Sequence, residues 1–170
     1  MSGSCQVREH DGAVTGYVVS SADRLSNRPW RHVLSLTYFS STADILSKEQ
    51  RDALVRNSRA DNEDRGVTGM MLYTGSNFIQ TIEGPDEAVD ALFTLIDADP
   101  RHHDVFIVRR EEIVTRRFTA WFMGYREISK SKAETIPGFI EYLQTGEIQG
   151  STAQRHATLT SQRVFNESAA

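Results

Sequence analysis

Cysteine is nearly absent: Cys5 is the only one in 170 residues. A single thiol near the amino terminus excludes a disulfide framework within one chain and a cysteine-based zinc site. Long apolar runs are also missing. None approaches the ~18 residues of a membrane span, and no apolar secretory segment follows Met1. A reducing cytoplasm is therefore the expected compartment, with no membrane contact. Clustered basic charge is lacking as well. A net charge of -4 and a pI near 5.7 argue against sequence-independent nucleic-acid binding, which needs a basic surface. The densest basic pairs, Arg109-Arg110 and Arg116-Arg117, flank Glu111 and Glu112 and read as a mixed-charge solvated edge. There is no Walker A loop, no dinucleotide-binding glycine fingerprint, no HExxH and no internal repeat.

What is present is the composition of a globular chain, 39% hydrophobic and 25% charged, long enough for one domain with extensions. Residues 1–29 are rich in Ser, Gly, Asp and Arg and read as an N-terminal extension. Residues 30–129 carry the regular patterning, and residues 130–170 read as a helical extension or tail. Along His32–Phe39, Leu34, Leu36 and Tyr38 share one face of a strand at period two. Ser47, with Gln50 three residues on, forms a capping box for a helix over about Lys48–Asp61, ended near Gly66. Val67–Tyr73 and Asn77–Glu83 predict two strands joined by Thr74-Gly75-Ser76. Pro85, Asp86 and Glu87 open a second helix that stops near Asp99-Pro100. Val105–Val108 and Phe122–Ile128 predict two more strands.

The order β-α-β-β-α-β plus a fifth strand predicts an α+β, ferredoxin-like fold, with two helices on one face of a mixed sheet. A short helix over about Ile136–Gln144 and a polar, weakly patterned remainder from Gly146 follow. That remainder is expected to fray, or to dock only within an assembly. The sheet face away from the two helices still needs cover, which predicts a homo-oligomer.

The most unusual residues are polar ones inside apolar elements. Gln80 lies within the strand Phe78-Ile79-Gln80-Thr81-Ile82, and an unpaired buried amide costs about 1–3 kcal/mol. In a split βαβ sheet the first and third strands are central neighbours. Tyr38 and Gln80 are therefore expected to meet on the helical face, with Asn62 coming over from the first helix. A hydrogen-bonded core network accounts for that trio, and so does a flat heterocycle with carbonyl and NH groups bound among them. None of the three is a good acid or base near neutral pH, so hydrolysis is poorly served. His102-His103-Asp104 is adjacent in sequence and lacks a second ligand cluster, so no metal site is expected.

Four pieces occur in order: Leu36-Thr37-Tyr38-Phe39-Ser40-Ser41, Asn62-Glu63-Asp64-Arg65-Gly66-Val67-Thr68-Gly69, Phe78-Ile79-Gln80-Thr81-Ile82-Glu83-Gly84 and Trp121-Phe122-Met123-Gly124. Together they resemble the BLUF family, blue-light sensors that use FAD, from roughly His32 to Ile128. The resemblance implies that Tyr38 and Gln80 are the photoactive pair and that Tyr38, Asn62 and Gln80 bind the flavin. It also implies that Trp121 and Met123 relay the signal. Val55 is expected among the packing neighbours of the flavin ring, with Arg65, His102 and His103 near its ribityl-phosphate end. Two departures stand out: Phe122 occupies a position where the family often has serine, and Asp61 one where it commonly has a neutral residue.

Within that resemblance, excitation of the flavin draws an electron and a proton from Tyr38. The Gln80 hydrogen bonds then rearrange, and the last strand and C-terminal helix carry the change outward. No catalytic output domain is expected in residues 129–170, so the chain reads as a non-enzymatic photoreceptor. It is expected to act on an effector protein in trans or through oligomer contacts. A ferredoxin-like regulatory or protein-interaction module without photoactivity is the alternative. A flavin-dependent oxidoreductase is disfavoured by the missing nicotinamide site and the missing acid or base.

Overall fold

The computed structural model describes residues 33–42, 44–119 and 122–168. The N-terminal extension and Trp121 lie outside the described residues. Strand β1 spans Val33–Thr42, helix α1 Lys48–Asp64, β2 Thr68–Tyr73 and β3 Asn77–Gly84. Helix α2 spans Asp86–Asp97, β4 His102–Ile113 and β5 Gly124–Glu127. Helices α3 (Lys130–Ala133), α4 (Phe139–Thr145) and α5 (Ser151–Glu167) follow.

The sheet runs β4-β1-β3-β2-β5. Strand β1 is antiparallel to β3 and β4, β2 is antiparallel to β3, and β5 is parallel to β2. This is the expected ferredoxin-like order with an added strand, and it makes β1 and β3 central neighbours. Strand β4 is longer than the expected Val105–Val108. It is an outer strand, so Arg109, Arg110 and Glu111 continue it while their charges stay at the solvated edge. There they pair, Arg109 with Glu111 at 2.7 Å and Arg110 with Asp90 at 2.9 Å. Its register against β1 shifts beside Tyr38 and again beside Phe39, the kind of irregularity that re-aims side chains near binding sites.

Helix α1 begins as its sequence dictates. The Ser47 hydroxyl accepts the Gln50 N–H and the Gln50 side chain accepts the Ser47 N–H. It ends three residues later than expected, because Gly66, at φ +62°, supplies the left-handed turn beyond Asp64. Asn62 thus lies in the last helical turn, with its side chain buried.

Two apolar layers sandwich the sheet. On one face Leu34, Leu36, Tyr38, Met71 and Ile82 pack with Leu54 of α1 and Val89 and Leu92 of α2. On the other, Phe39, Met70, Leu72 and Ile79 pack with Phe139 and Tyr142 of α4 and Ala157, Val164 and Phe165 of α5. The expectation that a second copy must cover this face therefore loses its basis, since the chain's own C-terminal helices cover it. The expectation that the residues after Gly146 fray is also corrected. They form the 17-residue α5. Its buried side is partly polar, with Thr158, Ser161 and Gln162 beside the apolar residues, so the hydrophobic stripe is too broken to read from sequence. Phe165 lies so close over Gly124 that a Cβ there would come within 2.4 Å of its ring. Among the described residues no helix is long and apolar enough to cross a membrane.

Candidate functional site

The β1–β3 register places Tyr38 directly opposite Gln80. The Tyr38 hydroxyl donates to Gln80 Oε1 at 2.5 Å, and Gln80 Nε2 reaches the thioether of Met123 at 3.8 Å. Asn62 does not join this pair directly. Its Nδ2 donates to the carbonyl of Phe122 at 2.5 Å, while Arg59 Nε donates to the carbonyl of Met123 at 3.0 Å. Helix α1 thereby holds the lead-in to β5, and that lead-in delivers Met123 to Gln80.

Tyr38, Asn62 and Gln80 line one cleft between α1 and α2, walled by Leu54 from the first helix and Leu92 and Ile96 from the second. Asp99, Arg101 and His102 close one side. Tyr38 is fully buried, and burial, reinforced by the charge of Asp99, pushes its phenol well above the usual tyrosine range. Asp99 is held down to about 2, chiefly by hydrogen bonds from the Arg101 side chain. His102 hydrogen-bonds Ser40 through Nδ1 at 2.8 Å, and its ring lies 4.9 Å from that of Phe78.

The cleft offers a mixture of apolar wall and polar edge, the chemistry that suits a planar heterocycle with carbonyl and NH groups. Its walls are largely apolar beside Ser58 and Asp61, and its floor presents an amide whose Nε2 has, among the described residues, a thioether for partner, a weak acceptor. A carbonyl or ring nitrogen brought alongside would satisfy that donor better. The deep Tyr38 phenol is kept protonated by its burial.

The model of the family described as sensors of blue-light using FAD, BLUF, matches residues 33–124. The chain belongs to the BLUF family. Subunit beta of the photoactivated adenylate cyclase of Euglena longa is 36% identical over 86 residues, which are 51% of this chain and 10% of that protein. The blue light- and temperature-regulated antirepressor BluF of Escherichia coli (strain K12) is 32% identical over 84 residues, 49% of this chain and 21% of that protein. This BLUF chain thus spans about a tenth of the length of the cyclase subunits it matches. Among solved structures, the dark state of the BLUF protein BlrB is 37% identical, with a TM-score of 0.55, covering 78% of this chain and 98% of that one.

Not every residue assigned to the flavin from the BLUF resemblance reaches the cleft. Tyr38, Asn62, Gln80 and His102 line it; Val55, Arg65 and His103 do not. Val55 follows Leu54 and is turned away by the ~100° step of the helix, so Leu54 takes the wall position. Arg65 caps the C-terminus of α1. His103 alternates to the opposite side of β4 from His102 and is exposed. Asp99 was missed because Asp99-Pro100 reads as a helix stop. Among the described residues, no group of three or more His, Cys, Asp or Glu is arranged to hold a metal.

His102 gives this BLUF domain a pH-dependent stability. Burial lowers its pKa from 6.5 to about 4, against the opposing pull of Asp99. Between those values the unfolded chain binds more protons than the folded one, so stability rises with pH there. It is complete above about pH 6.5 and falls by about 3 kcal/mol as pH drops to about 4. Asp99 loses its contribution lower, between 3.8 and about 2. Urea titrations at pH 7 and 4.5 should show this loss in the native chain and much less of it in His102→Asn. Equal losses in both would remove the assignment.

Proposed function

We propose that this chain is a blue-light photosensor in which Tyr38 and Gln80, facing a flavin held between α1 and α2, are the responding pair. The observation that carries this reading is the bond from the Tyr38 hydroxyl to Gln80 Oε1, with Gln80 Nε2 left on Met123 Sδ. When bound, FAD would supply the absorption of blue light and an electron acceptor. Tyr38 holds its proton on Oη, where burial disfavours the free phenolate, so loss of an electron from the ring must be accompanied by movement of that proton. The proton lies on the bond to Gln80. One amide cannot present donor and acceptor in the same direction, so a turned or tautomerised Gln80 forces both neighbours to re-pair. Two such arrangements of similar energy form a bistable element.

Met123 is the neighbour most cheaply released, because a thioether accepts only weakly. It immediately precedes β5, whose Gly124 lies under Phe165 of α5. A displaced Met123 would therefore be felt on the far side of the sheet. Trp121, the other residue assigned to the relay, lies outside the described residues. We take the output to be altered contact with an effector protein in trans, or with a second copy, at the C-terminal helices. Ile140 and Leu143 of α4 are exposed there, 50% and 39%, while Phe139 and Tyr142 face the sheet. The similar cyclase and antirepressor proteins join the same domain to different outputs, which supports a sensor whose effect depends on its partner.

An absorption spectrum of the FAD-supplemented protein before and after blue light tests the proposal. A flavin spectrum with a small, reversible red shift is expected. A protein that takes up no flavin, or a flavin-loaded protein with an unmoved spectrum, would sink it.

A further inference from the structure

We propose that a basic pocket between β4 and α5, on the sheet face opposite the flavin cleft, binds a phosphate group, free or carried by a small molecule. The pocket is lined by Arg109 and Glu111 of β4, Arg117 of the connection that follows, and Arg155, Thr158 and Leu159 of α5. It comprises about 300 Å³, counted with the space open to solvent. It shares no lining residue with the flavin cleft, so the site does not depend on the flavin reading.

Each wall follows from its element. Arg109 and Glu111 stand opposite Thr37 and Ser35 of β1. Those two positions alternate with Leu36 and Tyr38, which face α1 and α2. Arg155, Thr158 and Leu159 are spaced three and four apart, so they share one stripe of α5. Of the two basic pairs in the sequence, one member of each comes to this pocket. Arg110 pairs instead with Asp90, and Arg116 donates to the Gly66 carbonyl.

Three guanidiniums thus face one carboxylate. Glu111 pairs with Arg109 Nη2 through Oε2 at 2.7 Å and with Arg117 Nη2 through Oε1 at 2.8 Å, which holds two like charges side by side. Arg117 Nη1 also donates to the Ser35 hydroxyl at 3.3 Å and lies 3.8 Å from Glu83, a residue outside the lining. Arg155 has no ion pair among the described residues. The lining therefore keeps a surplus of positive charge that a phosphate dianion would offset. Each guanidinium also retains N–H donors beyond those engaged, in the fork geometry that suits phosphate oxygens. Thr158 supplies an independent observation. It is 1% exposed, and its hydroxyl has no hydrogen-bond partner among the described residues. One turn further along α5, Gln162 likewise buries an Nε2 without a partner. Buried polar atoms are as a rule paired, and an oxyanion held by the guanidiniums would accept from the Thr158 hydroxyl. Leu159, 47% exposed, gives the rim an apolar contact for an organic group attached to the phosphate.

Calorimetric titration of the full chain with inorganic phosphate and with phenyl phosphate, at a pH of about 8 where each is largely a dianion, tests the proposal. Saturable binding is expected in sodium chloride of matched ionic strength, with a rise in unfolding temperature that chloride does not give. Tighter binding of phenyl phosphate would name an organic phosphate as the ligand, and equal or weaker binding would name free phosphate; both uphold the site. Arg155→Gln should weaken binding about tenfold. Thr158→Val should weaken it about fivefold without lowering the unfolding temperature in the absence of phosphate, because the hydroxyl it removes has no partner. Arg110→Gln, outside the pocket, should bind as the native chain does. Phosphate that raises the unfolding temperature no more than chloride would overturn the site. So would native binding in either Arg155→Gln or Thr158→Val, or an Arg110→Gln chain weakened as much as Arg155→Gln, which would reduce the effect to general charge screening.

Discussion

Gln80→Leu is expected to leave a protein that still takes up flavin but shows no light-induced red shift, and Tyr38→Phe is expected to do the same. Leucine roughly preserves the volume at position 80 but can neither accept from Tyr38 nor offer a donor to the cleft. The Tyr38 hydroxyl, fully buried, then loses its acceptor, at a cost of about 1–3 kcal/mol in stability. Phenylalanine at position 38 removes the proton that lies on the bond to Gln80 Oε1. Flavin uptake should survive in both variants, because Leu54, Leu92 and Ile96 still wall the cleft. Light-minus-dark difference spectra of flavin-loaded variants decide the matter. A full red shift persisting in either one would show that the Tyr38–Gln80 bond is not the switching element.

The Tyr38–Gln80 pairing could be read from the sequence because it depends only on strand order and period two. Once β1 and β3 are neighbours on the helical face, residues 38 and 80 come into register, as the structure has them. The position of Asn62 was legible, but its partner was not. The Phe122 carbonyl is supplied by an irregular connection with no periodicity to read. Val55, Arg65 and His103 stand just outside the lining of the cleft, by one step of a helix, one residue past its end and one alternation of a strand. Helix α5 escaped notice for a different reason. Its buried face includes Thr158, Ser161 and Gln162, so hydrophobic contrast was weak although the face is covered. Glu83 escaped too, since a carboxylate at a strand end before Gly84-Pro85 reads as solvated.

Glu83 is fully buried, and Glu83→Ala is expected to destabilise the fold by about 3–5 kcal/mol. Its Oε2 accepts the N–H of Arg117 at 2.7 Å and that of Phe118 at 3.3 Å, and its Oε1 accepts from the Ser35 hydroxyl at 3.2 Å. The Arg117 guanidinium stands 3.8 Å away, one third exposed. Alanine would leave two backbone donors without their acceptor, and the Phe118 end is buried. The neighbouring guanidinium is still held by Glu111 at 2.8 Å, so the loss comes mainly from those donors and the emptied space. Glu83→Gln keeps one carbonyl acceptor and should cost less, about 1–2 kcal/mol. Ser35→Ala should cost about 1 kcal/mol or less, because the carboxylate retains its backbone partners. Urea denaturation of the flavin-saturated proteins would rank the three, and a loss below about 1 kcal/mol for Glu83→Ala would show that the carboxylate does not hold the connection. The consequence reaches the site. Strand β3 presents Gln80 on one face and Glu83 on the other, and Glu83 grips the start of the segment whose end delivers Met123 Sδ to Gln80. The same strand thus fixes both the amide and the chain that brings its weakest partner. That is why a carboxylate remote from the cleft should decide how firmly Met123 is presented to it.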